Sequence, residues 1–244
     1  MTVEWLPYLI TGLVALVAAT VHSGIGFGYA IIGMSILPLI IPFRSAAAII
    51  SLTVCLLSGI LFFRLRKHVR LNTLAWPLIG VTIFMPLGLN TMMGSTDPLM
   101  RRLLGGLLLL LCLYFFFLGD KVRVRPTRVN GLIAGVVSGF LGGMFIIAGP
   151  FLTIYFISTV EDKREYNASL QGVMAIMAPY QLLLHVLWGN MTVQMLRLSA
   201  VAAVCVVVGS MLGFMAFQRL KMPALKRIVY CFMMVFGVYL ALGG

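Results

Sequence analysis

Charge is what this sequence has least of. Only 10% of its 244 residues are Asp, Glu, Lys or Arg, against about 25% in an average soluble domain. With 61% hydrophobic residues, there is too little polar surface to wrap a water-facing exterior. Negative charge is scarcer still: six acidic residues stand against eighteen basic ones, for a net +12. Such an excess can mark a nucleic-acid partner. Here the basic residues are confined to short gaps between apolar runs, which makes a nucleic-acid face a weak reading and fits loop charge beside a membrane. The four cysteines, Cys55, Cys112, Cys205 and Cys231, lie inside apolar runs and form no CxxC pair. That leaves no metal site and no redox motif, so they are read as small packing residues. No GxxxxGK[ST] loop is present, so this chain alone is not expected to drive transport with ATP. No HExxH motif and no Ser/His/Asp arrangement points to an enzyme, and no cofactor is implied. No basic stretch precedes the first apolar run, so no cleaved signal peptide is expected.

What is present is a series of charge-free runs: Glu4 to Arg44, Arg44 to Arg64, Arg70 to Asp97, Arg102 to Asp120, Arg128 to Glu161, Glu165 to Arg197, Arg197 to Arg219, and Arg227 onward. A helix needs roughly 20 apolar residues to cross a bilayer core. Only helices or closed barrels satisfy their backbone in lipid, and nothing here alternates with period two. The expected fold is an all-α, polytopic membrane protein of about ten helical segments in the bacterial inner (plasma) membrane.

The chain also repeats. Pro98-Leu99-Met100-Arg101-Arg102 resembles Pro223-Ala224-Leu225-Lys226-Arg227, and each is followed by an apolar helix ending in glycine, Gly119 and Gly244. Upstream, Gly12-Leu-Val-Ala resembles Gly131-Leu-Ile-Ala, and Ser23-Gly24 resembles Ser138-Gly139. The expected organisation is one membrane domain of two halves, 1–120 and 121–244. Each half opens with a run too long for one crossing. Residues 5–43 are interrupted by Ser23-Gly24-Ile25-Gly26-Phe27-Gly28. Residues 129–160 are interrupted by Gly142-Gly143 and again by Ala148-Gly149-Pro150. Glycine clusters and proline break helices, so each run is split: 5–22 with 27–42, and 129–147 with 150–160. The other helices are expected near 45–63, 73–93, 101–119, 167–188, 196–217 and 227–243.

If each broken run enters the membrane and returns, the loops at 64–70, 121–128, 163–164 and 219–227 share the cytoplasmic side. They then hold fourteen of the eighteen Lys and Arg, leaving Arg44, Arg101, Arg102 and Arg197 outside. If each broken run crosses once, the split is nine to nine. The positive-inside rule selects the first arrangement. Each half is then a broken, re-entrant pair plus three transmembrane helices, the halves are inverted, and both chain ends face outward. Inverted repeats with broken helices are a common transporter plan.

A helix that starts within the membrane has unpaired N–H groups carrying partial positive charge, which suits an anion. Glycine lets a ligand approach the backbone closely, and Pro150 fits the first turn of a restarted helix. The candidate substrate-binding residues are therefore His22, Ser23, Gly24, Gly26, Phe27, Gly28, Gly142, Gly143, Gly149 and Pro150. Small residues also serve close helix packing, and that reading stays open for both clusters. His22 lies deep in an uncharged run, where an ionisable residue is a functional candidate; it would bind the anion, carry a proton, or simply pack. His185, beside Trp188, is expected at the membrane interface, and His68 in a solvated loop. Asn167 and Gln171 complete the candidate set. Asn167 is expected to cap a helix and Gln171 to face a cavity, with plain packing as the alternative for both, as for Ser169 beside them and for Ser45, Ser51 and Ser58 in the corresponding helix. The glycosylation pattern at Asn167 and Asn190 is short enough to arise by chance.

At these residues the chain resembles the sulfite exporter TauE/SafE family. The resemblance is carried by Gly24-Ile25-Gly26-Phe27, by Gly142-Gly143 with Ala148-Gly149-Pro150-Phe151-Leu152-Thr153-Ile154-Tyr155, and by Asp162-Lys163-Arg164-Glu165-Tyr166-Asn167-Ala168. The chain departs from the usual pattern at Gly33, Ala148 and Asn167. The resemblance implies secondary transport of sulfite, a sulfonate or another small organosulfur anion, coupled to an ion gradient such as H+ or Na+. The expected partners are the anion, the coupling ion and the lipid bilayer. The rival expectation is a non-transporting membrane scaffold.

Overall fold

The structure is a computed structural model, and it describes residues 5–118, 124–160, 162–217 and 222–243. Among these residues there are ten α-helices and no strand. They are α1 (Leu6–Ile25), α2 (Tyr29–Ile36), α3 (Phe43–Leu65), α4 (Leu71–Gly94), α5 (Asp97–Phe117), α6 (Arg128–Phe145), α7 (Gly149–Thr159), α8 (Lys163–Leu187), α9 (Val193–Phe217) and α10 (Met222–Ala241). Short 3-10 turns follow α2 at Leu37–Leu39 and α3 at Arg66–His68. Seven of the helices are long and apolar enough to cross a bilayer. Large apolar side chains such as Leu110, Phe116, Val204 and Met215 stand exposed on the outside of the bundle, an exterior suited to lipid.

Helix existence follows the charge-free runs closely; the ends depart from expectation for local reasons. α1 continues past residue 22 to Ile25 and stops where Gly26 takes φ 95°, its N–H closing on the His22 carbonyl at 2.7 Å. That left-handed conformation is one glycine adopts without strain. Gly142-Gly143, expected to interrupt the second run, lies inside α6 instead. A Cβ on Gly143 would stand 2.2 Å from the Met85 carbonyl oxygen, so this glycine serves the close approach of α6 to α4. The break falls after Phe145, where Ile146 takes φ 63° and donates its N–H to the Gly142 carbonyl at 2.8 Å. Asn167 is not a cap either. α8 begins at Lys163, and the Asp162 carboxylate accepts from the amides of Arg164 and Glu165 at 2.8 and 2.9 Å.

The packing has a regular plan. α1 lies along α9, and α6 along α4. α3 touches α9, and α8 touches α4; α2 is held by α1 and α3, α7 by α6 and α8. α3 also packs on α8, and α5 on α10. Exchanging α1–α5 for α6–α10 in order leaves this pattern unchanged. α3 and α8 run antiparallel. At one end Asn190, just beyond α8, donates to the Arg44 carbonyl at 3.0 Å. At the other end Arg70, just beyond α3, pairs with Glu165 at 2.9 Å.

Candidate functional site

Both breaks are buried, and they meet. A Cβ on Gly149, the first residue of α7, would lie 3.0 Å from the Cβ of Phe27 in the first break. It would also lie 2.8 Å from Cε of Met174, which stands near the middle of α8. The starts of α2 and α7 therefore adjoin at mid-depth of the bundle. The first amides of each have no partner within their helix. Pro150 occupies the opening turn of α7, where a missing N–H costs nothing.

α8 serves both breaks with glutamines ten residues apart. Gln171 Nε2 donates to the Gly26 carbonyl at 3.1 Å, and Gln181 Nε2 donates to the Gly142 carbonyl at 2.6 Å. Gln171 thus meets a carbonyl at the end of a broken helix, while Gln181 adds a second donor to the Gly142 carbonyl, which also accepts from the Ile146 amide. Between them, Met174 faces Gly149 and Met177 faces Gly142. One side of α8 is consequently a rail along which the two breaks are laid.

The polar group of sharpest consequence is the pair His22 and Gln171, both buried. His22 Nδ1 accepts the backbone N–H of Tyr29 at 3.4 Å. A ring that accepts at Nδ1 is neutral and carries its proton on Nε2. Gln171 must turn its amide nitrogen to the Gly26 carbonyl, because a carbonyl can only accept. That nitrogen lies 3.4 Å from His22 Nε2. Donor therefore faces donor, and Gln171 Oε1 has no partner. Turning the amide over pairs Oε1 with the ring N–H but sets it against the Gly26 carbonyl. Either orientation leaves a buried group unmet, which costs about 1–3 kcal/mol. One acceptor atom set to the side of the pair, about 3 Å from each nitrogen, removes the conflict.

The remaining expected residues sort around this pair. Asn167 joins it: its Oδ1 has no partner and lies 3.2 Å from where a Gly26 Cβ would be. Gly28, at φ 116°, caps α2, and an added Cβ there would face Val21. Gly24 is buried in the last turn of α1. Ser23 turns toward α9, its Cβ close against Gly213. Gly142 and Gly143 lie in α6 as packing positions. His185, expected at the interface, is wholly buried and bound to Asn190 at 2.9 Å. The turn through Gly189 at φ 69° brings Asn190 back over it. His68 is exposed. Sequence reasoning missed Gln181, Asn190, Met174 and Ile146. A second glutamine in an apolar helix was a signal for the first; nothing local announces a left-handed isoleucine.

Beside the site, Phe27 stacks on Phe115 at 5.6 Å, and Phe115 on Tyr230 at 5.8 Å. These rings come from α5 and α10 and cover the first break on the Arg70–Glu165 side. A separate cavity of about 170 Å³ lies between α6 and α7, lined by Ile133, Val137, Phe151 and Ile154 among others. Its lining is mainly apolar and includes none of the candidate residues.

Comparison with known proteins gives the same outline. The chain is 26% identical over 250 residues to the probable sulfite/organosulfonate exporter TauE of Cupriavidus necator, covering 98% of this chain and 93% of that one. No solved structure matches it. Residues 11–240 match the family described as sulfite exporter TauE/SafE, nearly the whole sequence, and the chain therefore belongs to that family of membrane transporters, not of enzymes.

Proposed function

We propose that the chain is a secondary transporter of a small organosulfur anion, with sulfite or a simple sulfonate as the leading class, working by alternating access in the inner membrane. The observation that carries this is the unmet donor pair of His22 and Gln171, set where the two broken helices begin. An oxyanion oxygen set beside these nitrogens, within hydrogen-bond reach of each, would take both N–H groups at once. The adjoining ends of α2 and α7 each contribute roughly half a positive charge. Together they offset one negative charge with no lysine or arginine in the core. Phosphate-type and sulfur oxyanions alike suit such helix ends, so the family relationship is what favours sulfur.

In this conformation the site is buried from both faces. Access then requires one group of helices to rock against another. The exchange symmetry of the packing supports two inverted halves, divided near residues 120 and 121, as the moving units. The halves would present the site to either face in turn, coupled to H+ or Na+. A scaffold would have no use for buried donors left without acceptors.

Titration calorimetry on the detergent-purified chain tests the site, with sulfite, sulfate, thiosulfate, methanesulfonate and acetate as ligands. Gln171→Leu keeps the volume and removes the amide. One hydrogen bond to a charged group is worth about 1.5–3 kcal/mol, so the Kd of the preferred anion should rise about ten- to a hundredfold. Unchanged binding in Gln171→Leu, or no binding of any of these anions to the wild type, would overturn the proposal.

A further inference from the structure

His185 takes no part in the site just described, yet it is buried in the last turn of α8 with 0% exposure. Its surroundings decide where its proton sits. Asn190 Nδ2 lies 3.0 Å from the Arg44 carbonyl oxygen and 2.9 Å from His185 Nδ1. The carbonyl can only accept, so Asn190 must present its NH2 group there. The second hydrogen of that group points at Nδ1. Nδ1 therefore accepts, the ring is neutral, and the proton is on Nε2. That Nε2 is buried and has no hydrogen-bond partner. The protein has thus built a fixed N–H donor with nothing to receive it, and natural structures seldom leave such a group unmatched.

Its position gives the donor a use. His185 lies one turn beyond Gln181, which holds the Gly142 carbonyl at the second break. Gln171, Met174, Ala178, Gln181 and His185 follow one another at helical spacing of three or four, and all are buried. This stripe leads from the central site to the end of the bundle that carries Arg44. There the Arg44 guanidinium donates to the carbonyls of Met93 and Ser95, with no carboxylate in ion-pair reach among the described residues. Asp97, the one acid at this end among the described residues, accepts instead from the Phe43 amide at 2.9 Å. Arg101 and Arg102 near the start of α5 and Arg197 near the start of α9 also belong to this end, so among the described residues four cations stand there with one carboxylate, a balance that favours an anion.

The geometry points to His185 Nε2–H as a second oxyanion contact, at the Arg44 end of the path, which the transported anion occupies on its way to or from the central site. This rests on the reading of the chain as an anion transporter, and its failure can be told apart from the failure of that reading. Two substitutions separate the donor from the packing. His185→Asn puts a carboxamide oxygen near the place of Nδ1, keeps the contact with Asn190, and removes the outer donor. His185→Gln puts an N–H near the place of Nε2.

The experiment measures sulfite transport by the full chain in membrane vesicles of both orientations, with thermal unfolding of each purified variant alongside. For His185→Asn, KM for sulfite presented at the Arg44 face should rise about tenfold, the loss of one charge-assisted hydrogen bond. KM at the opposite face should stay at the wild-type value, and so should the unfolding midpoint. His185→Gln should recover most of the lost affinity. A wild-type KM at both faces in His185→Asn would overturn the inference. So would an equal rise at both faces, or a loss in both variants that tracks a lowered unfolding midpoint, since each marks a purely structural histidine. If Gln171→Leu still weakens binding in those cases, the central site stands and only the outer contact is lost.

Discussion

Asp162 shows how a single exposed side chain sets an element in this molecule. Its carboxylate accepts the amides of Glu165 and Arg164, and these hydrogen bonds, in that order, hold its pKa below the ordinary carboxylate value. A depressed folded-state pKa contributes stability that is present above the unfolded value and lost as pH falls through the folded one. The start of α8 should therefore loosen as the solution becomes acidic enough to protonate Asp162. Asp162→Asn keeps an acceptor at the cap but has no charge to lose. Its unfolding midpoint, followed from neutral pH into the carboxylate range, should fall less steeply than that of the wild type. Parallel curves for the two proteins would show that this cap adds nothing to the acid sensitivity. At the same scale, His22 and His185 each have their proton placed by a partner that only structure could reveal, a backbone amide in one case and a side-chain amide in the other.

Between elements, the tightest seams are made by glycine. Where α4 crosses α6, a Cβ on Gly88 would stand 2.0 Å from the Phe140 carbonyl oxygen, and one on Gly143 2.2 Å from that of Met85. Where α1 meets α9, a Cβ on Gly213 would stand 2.2 Å from the Thr20 carbonyl oxygen. Backbone cannot step aside as a flexible side chain can. Gly88→Ala should therefore force α4 and α6 apart, at about 1–3 kcal/mol or more. Gly106, in the middle of α5, has nothing within 4 Å of an added Cβ. Gly106→Ala should be neutral or stabilise by up to about 1 kcal/mol through helix propensity. Unfolding of the two variants in detergent compares them directly, and equal stability would show that the seam tolerates widening. This is also where the sequence misled. Gly142-Gly143 has the composition of a helix break, but a glycine pair facing a neighbouring helix looks the same in sequence as one ending its own.

For the whole molecule, the principal contacts of α1–α5 and α6–α10 interchange, and the charges divide between its two ends. Arg64, Arg66, Lys67 and Arg70 lie at the same end of the bundle as Arg164 and Glu165, while Arg44 lies at the other. With the basic end in the cytoplasm, a cysteine-free background carrying His68→Cys should resist a membrane-impermeant thiol reagent in intact cells. Thr192→Cys, at the other end, should react. Labelling of position 68 from outside would reverse the orientation. Part of the site is a property of this scale alone. Gly26, Asn167 and Gln171 come from opposite halves of the chain, and so do Phe27 and Gly149, which no local pattern could bring together.

Sequence by itself determined the class of protein, the ten helical segments and the approximate place of both breaks. Long runs without charge have one stable solution in lipid, and only glycine takes the φ of Gly26 without cost. It also singled out His22, Asn167 and Gln171, because polar groups are rare and expensive in such runs. Tertiary structure decided which of these groups face one another, that Gly143 packs while Gly149 meets Phe27, and that His185 is buried instead of interfacial. The physical reason is reach. Helix formation is settled within a few residues by the backbone and the solvent. The direction of a hydrogen bond depends on a partner that can be far off in sequence, as Gly26 is, 145 residues from Gln171.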